Sequence, residues 1–511
     1  MTTTEQPKRK GHWRLLRWGL IGLASLVTLI ALLVTEEDWR GKRAWEDYRH
    51  QAAACGVSFD ILEFNTPIPD DQNFTRAPVF SVLTNLQWNA DTDTWEPSKA
   101  NTNYEWHASI YKQDGTSPTN GYGDFMLSIL SDMKPWQEYY RTNPSDDFPV
   151  SPQPQSPAAD VLLALSKSGQ IVEGLQTASL RPCSRFGNYD FTDPKTSSYL
   201  LSYLALMKRY SQVVQLRSRA ELEAGQTANA LEDVKLFSRL NDKLRQEPLL
   251  ISQLVSIALM HLLLQPVYDG LARHQWSDAQ LAELEQMLAA KDFLADYQTA
   301  MRGECAYAIS HYETLRITRK ETIPYPSTPG KPPTITISYS WMPAAFFYQN
   351  ELNFARNQVM FSAVVDATNR TVSPSTQRRV NAALDEATHH YNFYKVMAVM
   401  TAQAFTKLAM KFALIQSYTD CARVACALER YRLAHGTYPE TIDVLAPRFI
   451  DSVPHDIING QPLHYRLQPD GRFLLYSVGW SETDNGGKIV TTQRGAMDQE
   501  KSNWVWQYPA P

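Results

Sequence analysis

Trp18–Val34 (WGLIGLASLVTLIALLV) runs for 17 residues without a charge, and only Ser25 and Thr28 interrupt its apolar character. Such a stretch demands a membrane span, a removed leader or a helix buried on every side. At about 1.5 Å per residue it reaches about 25 Å, near the lower limit for a hydrocarbon core of roughly 30 Å. Leu15, Leu16 and a snorkelling Arg17 add a turn. Lys8, Arg9, Lys10, Arg14 and Arg17 precede the run, whereas Glu36, Glu37 and Asp38 come after it. The positive-inside bias therefore predicts residues 1–17 as a cytoplasmic tail, 18–34 as a single transmembrane helix of a cell inner membrane, and everything after Thr35 as extracytoplasmic, in a periplasm. A cleaved signal peptide needs small residues just before the cut, and the stretch from Ala31 to Thr35 offers none in the required places. A second apolar run, Leu249–Leu264, is short and carries Ser252, Gln253, Ser256 and His261, which predicts a buried core helix and a single-span protein.

The chain beyond the span is long enough to bury a sizeable core. Of 511 residues, 49 are Lys or Arg and 54 are Asp or Glu, a formal charge of −5, so no basic face points to nucleic acid. Apolar residues at 43% and aromatics at 11% exclude disorder as the global state. Five cysteines are too few for a disulfide framework, and their odd number leaves at least one thiol free. Cys421 and Cys426 are five apart on a predicted helix and point to different faces, while Cys55, Cys183 and Cys305 are open to pairing across the fold.

Periodicity predicts a mainly α protein: an N-terminal transmembrane helix, a helical-hairpin body and a small α+β C-terminal head with a short antiparallel sheet. Residues 35–75 read as a stalk helix, opened by a capping box at Thr35–Asp38 and stopped at Gly56, with a linker after it. Residues 76–195 are rich in proline and aromatics and predict irregular structure with short helices such as Ala158–Leu165. Residues 196–426 carry the 3.6-residue period of a helical body. One helix includes Leu204, Met207 and Val213, a second begins after Gly225, a third surrounds Val255, and a capping box at Ser277–Gln280 opens a fourth. The turn around Gly225, with Ala228 and Ala230 beyond it, resembles that of a tetratricopeptide-type hairpin, without a 34-residue repeat. A Pro-rich insertion at 322–345 shows strand-like alternation over Thr334–Ser340. Ser375–His435 reads as one or two long helices.

Residues 427–511 form the head. Leu428 to His435 leads into Gly436-Thr-Tyr438-Pro439, then Ile442, Leu445, Pro447 and Pro454, then Gly460-Gln-Pro462-Leu-His-Tyr465, Gly471-Arg-Phe-Leu-Leu-Tyr476-Ser-Val-Gly479 and Asp484-Asn-Gly-Gly487. This resembles the globular head of the major pseudopilin of type II secretion, which implies a helix ended at the Gly-x-Tyr-Pro turn, a small helix and a short antiparallel sheet. The pseudopilin processing site has no counterpart at Arg17–Leu20, and some 390 residues separate span from head, so the resemblance does not extend to fibre assembly. It implies a calcium loop, for which this chain supplies Glu482 and Asp484, fewer than the usual ligands; Asn485-Gly486 is equally a turn pair. The whole arrangement resembles uncharacterised bacterial envelope proteins.

Catalytic templates fail one after another. Glu386 and His389-His390 put a carboxylate and an imidazole one helical turn apart, but no second Glu-x-x-His exists for a di-iron bundle, so a solvated face is expected. No zinc-type His-Glu-x-x-His, nucleophile elbow or Walker loop occurs. His455-Asp456 reads as a surface polar pair. The expected function is therefore a non-catalytic, membrane-anchored envelope scaffold, with lipid as a partner through the span and a second protein as the other. Two alternatives remain open: an extracytoplasmic hydrolase drawing on Glu304, His311, His389 and His390, and a secretion-system accessory docking through the head.

Overall fold

The computed structural model describes residues 10–84, 86–89, 94–97, 109–112, 116–142, 144–186, 194–324, 334–389 and 392–509. Lys8 and Arg9 of the basic tail, parts of the irregular segment, residues 325–333 of the insertion and His390 lie outside them. Helix makes up 61% and strand 7%, so the chain is mainly α with short antiparallel sheets. In order, the longer helices are α1 (Lys10–Ala54), α2 (Lys134–Arg141), α3 (Pro157–Ala164), α4 (Gly169–Ser179), α5 (Pro194–Glu223), α6 (Thr227–Arg245) and α7 (Leu250–Ala272). After them come α8 (Asp278–Ala289), α9 (Phe293–Thr318), α10 (Ala344–Ser362), α11 (Pro374–His389), α12 (Val396–Ala402) and α13 (Leu408–His435). Two compact units result, and neither is one continuous stretch: Met1–Asp60 with Ala308–Asn357 and Leu384–Gln403, and Ile61–Tyr307 with Gln358–Ala383 and Ala404–Pro511.

In the first unit α1 is a single 45-residue helix. The capping box expected at Thr35 does not form. The Thr35 hydroxyl bonds back to the Ala31 carbonyl (2.7 Å), because the helix already runs through this point and leaves no free N–H groups to cap. Gly56 ends the helix as expected, at φ 76°, a left-handed turn that glycine enters without a Cβ clash. The stretch expected to be a stalk is a packed element. Trp45 is buried against Tyr48 and Phe59, a Cβ on Gly41 would lie 3.2 Å from the Ala345 Cα, and Arg49 pairs with Glu313 (3.5 Å). Two strands, Lys320–Pro324 and Thr334–Ser338, pair antiparallel; the second falls within the expected alternation, and the first begins before the insertion.

Ser375–His435 is three helices rather than one or two. At the first break, Asn side chains accept backbone N–H groups that have no helical partner. Asn392 takes the Tyr394 N–H (2.9 Å), and Asn350 takes the Ala398 N–H (3.0 Å) at the start of α12.

The second unit is built on α5 and α6, a hairpin turned at Gly225, with α7 packed on both and α13 on α7 and α8. The Ser277–Gln280 capping box opens α8 as expected. Inside α7, Pro266 cannot bond the Leu262 carbonyl, and the Gln215 side chain of α5 supplies that bond (3.2 Å). Helix α13 stops at Gly436 in the left-handed conformation, a 3-10 turn spans Ile442–Leu445, and three antiparallel strands come next: His464–Leu467, Phe473–Ser477 and Trp504–Gln507. The middle strand is buried throughout and Trp504 and Trp506 are fully buried, so this sheet belongs to a core. All five cysteines are free thiols.

Candidate functional site

Glu304 comes to lie where α9 meets the start of α7. Gly303 permits this approach, since a Cβ there would stand 2.1 Å from the Pro248 carbonyl oxygen. Leu249, the residue capping α7, has no side-chain acceptor, and Glu304 accepts the Leu250 N–H (3.4 Å) in its place. Burial raises its carboxyl above the ordinary range while that bond lowers it. It also lines a cavity of about 320 Å³ whose other walls are leucines, Ile251 and Tyr307. Glu304 thus caps a helix from a neighbouring one.

The other catalytic candidates are engaged separately. His311 reaches Glu321 (3.3 Å), which also accepts the Tyr339 hydroxyl (2.8 Å). His389 bonds the Asp385 carbonyl (2.7 Å) on the exposed end of α11. Glu304, His311 and His389 thus engage three different partners, and His390 lies outside the described residues. Asp456 corrects the expectation of a surface pair: it is fully buried, and its carboxylate takes the Ser477 hydroxyl (2.8 Å) and the Val478 (2.8 Å) and Ile458 (3.0 Å) N–H groups. His455 bonds the Arg370 carbonyl (3.1 Å).

The candidate calcium ligands are likewise occupied by protein. Glu482 pairs with Arg378. Asp484 accepts the Tyr476 hydroxyl (2.9 Å) and the Gly486 N–H (2.8 Å), with His464 at 3.6 Å. Asn503 organises the same loop, accepting from Asn485 and Gly487 and donating to the Val478 and Thr483 carbonyls. Among the described residues no group of three or more His, Cys, Asp or Glu is placed to hold an ion.

Arg378 leads to a cavity that no sequence motif marked. It has about 300 Å³ and is bounded by α11, the start of α13 and the loops at 480–481 and 500–501. Gln377 is 1% exposed in its wall. Its amide nitrogen donates to Asn381 Oδ1 (2.8 Å), Asn381 donates to the Thr406 carbonyl (3.2 Å), and Gln377 Oε1 is left without a partner. Trp480 and Met410 add apolar surface, and Lys407 with Glu500 (2.6 Å) closes a charged rim. One unfilled buried acceptor beside an indole suits the binding of an N–H or O–H donor. The hydroxyls among its described lining residues, Ser481 and Thr406, have no histidine in the lining to serve as a base and make a nucleophile.

Buried charge outside this cavity was also invisible to periodicity. Glu429 takes bonds from His274 (2.9 Å), Arg432 (2.6 Å) and Tyr438 (2.8 Å). Burial alone would raise its carboxyl, but these three donors overcome it and hold it at about 2. Glu351 is fully buried beside Arg316 (3.7 Å), and burial pushes its carboxyl up to about 8. An acidic residue at a helical core position was the available signal, and only knowledge of the facing helix makes it readable.

Comparison of the chain with protein-family models, with curated proteins and with solved structures finds no match.

Proposed function

We propose that this chain is a single-span protein of a bacterial inner membrane whose extracytoplasmic body binds other components of the envelope without catalysing a reaction. The observation that carries the reading is the split character of α1. Its apolar window has no buried residue, whereas the same helix from Gly41 onward is packed into a folded unit. A soluble protein would leave a column of leucines in water at a cost of about 25 cal/mol per Å² of apolar surface. The basic flank before the span and the acidic one after it support a cytoplasmic N-terminus. The test is fractionation of the full chain, with reporter fusions at its C-terminus. It should stay in membranes through an alkaline wash, and a phosphatase fusion, active only outside the cytoplasm, should be active. Release by the wash, or fluorescence only from a cytoplasm-specific reporter, would overturn the reading.

A second reading, a secretion-system accessory, is supported by the Gly436 helix stop and the three-stranded antiparallel sheet beyond it. Deleting 427–511 would remove the last turns of α13 from a core, so point changes on exposed positions serve better. Arg466→Glu and Val444→Asp should reduce export of secreted enzymes; unchanged export would remove this reading.

A further inference from the structure

Asp38 lies four residues beyond Val34, so about 6 Å along the helix axis from the end of the apolar run. Its carboxylate accepts the Ala345 N–H (2.6 Å) at the start of α10, and Gly41 lets the two backbones approach one turn later. The segment leading into α10 is therefore held at the level where the span ends. That segment carries Trp341, which is 72% exposed. It is not loose: Arg319 donates to the Met342 carbonyl (2.7 Å), accepts the Tyr339 N–H (2.8 Å) through its own carbonyl, and lies over the Phe347 ring (5.0 Å). Trp341 packs against Phe393 at 6.4 Å, and Phe393 against Phe346 at 4.8 Å. Tyr394 is next in the chain, near enough to α1 that Glu37 and Asp38, after burial, raise its phenol. Trp39, on α1 itself, is 60% exposed with Arg43 over its ring (5.4 Å).

Three stretches, the first some 300 positions from the second and the second some 50 from the third, thus bring aromatic side chains towards one level of one helix. Large exposed indoles are unfavourable in water and favourable where an apolar ring and a polar N–H can both be satisfied, at the lipid headgroup boundary. Continuity with the exposed apolar helix selects a lipid surface over a protein partner as the occupant.

We propose that Trp39, Trp341 and the Phe393–Tyr394 pair form a lipid-facing seat by which the first unit rests in the headgroup region of the outer leaflet, rather than standing off on a stalk. The inference rests on α1 spanning the bilayer, and the experiment separates the two claims. The full chain, carrying fluorotryptophan, is placed in phospholipid nanodiscs with and without a lipid bearing a spin label on its headgroup. Fluorine resonances are assigned by Trp18→Phe, Trp39→Phe and Trp341→Phe, and each is compared with its intensity in the unlabelled nanodisc. The expected result is broadening beyond detection of Trp18, Trp39 and Trp341, and protection of Trp341 from a water-soluble paramagnetic chelate. Broadening of Trp18 with Trp341 untouched would overturn the seat and leave the anchor standing. Persistence of the Trp18 signal would overturn the anchor, and the seat with it.

Discussion

Helices α1 and α7 are both long and apolar enough to cross a bilayer, yet none of the apolar window of α1 is buried in protein, against 67% of that of α7. Their polar residues explain the difference. Gln253 of α7 donates to the carbonyls of Arg245 and Glu247 (2.9 and 2.7 Å), Ser256 to Asn241 (2.8 Å), and Asp269 accepts from Ser131 (3.1 Å) and Gln265 (2.9 Å). Apart from Gln265, which lies on α7 itself, those partners exist only because α6, its C-terminal end and the aromatic segment pack against α7; in lipid those groups would be desolvated and unpaired. Thr28 in the apolar half of α1 instead bonds the Ala24 carbonyl of its own helix (2.8 Å) and needs no neighbour. Overall apolarity does not separate these two helices, whereas the company their polar side chains require does.

The hardest test of this contrast is a charge in each helix. Leu263 is fully buried, so Leu263→Arg should abolish the cooperative unfolding transition and protease resistance. Leu26→Arg should leave that transition in place, cost about 2.5–3.5 kcal/mol of insertion, and shift protein out of the membrane fraction. Equal effects from the two would erase the distinction. Next in size is truncation: Leu263→Ala should lower stability by about 2–5 kcal/mol, and Leu26→Ala by well under that, in denaturant titration of the detergent-solubilised chain.

Proton linkage separates two buried carboxylates. Glu351 binds its proton more tightly when folded, at about 8 against an ordinary 4.5. Folding stability should therefore fall as pH rises between those values, and Glu351→Gln should flatten the fall in thermal melts. Glu429 is shifted the other way, from 4.5 to about 2. Its contribution should be full above pH 4.5 and fade as pH drops towards 2, the smallest of these effects, and Glu429→Gln should remove that acid limb.

Local signals were legible from the letters. Gly56, Gly225 and Gly436 each stop a helix in left-handed backbone, Ser277 and Gln280 form a reciprocal cap, and Thr334–Ser338 pairs as a strand. Each depends on neighbours a few residues away. Thr35 misled because a cap and a mid-helix threonine share a sequence, and the preceding apolar turn decides between them. Asp456 misled because the buried Ser477 and Val478 that hold it are about twenty positions along the chain. The cavity at Gln377 had no signature, since its wall draws on four separate stretches.

The sequence alone determined the apolar run, its charged flanks and the helical character of the body, because these arise from hydrophobicity and period along contiguous residues. Only tertiary structure decided that the expected stalk is part of a folded unit, that Glu304 caps another helix, that Asp38 binds the start of α10 and that Trp341 packs on Phe393. Burial and pairing across hundreds of residues depend on which surfaces meet, and no local window of sequence contains that information.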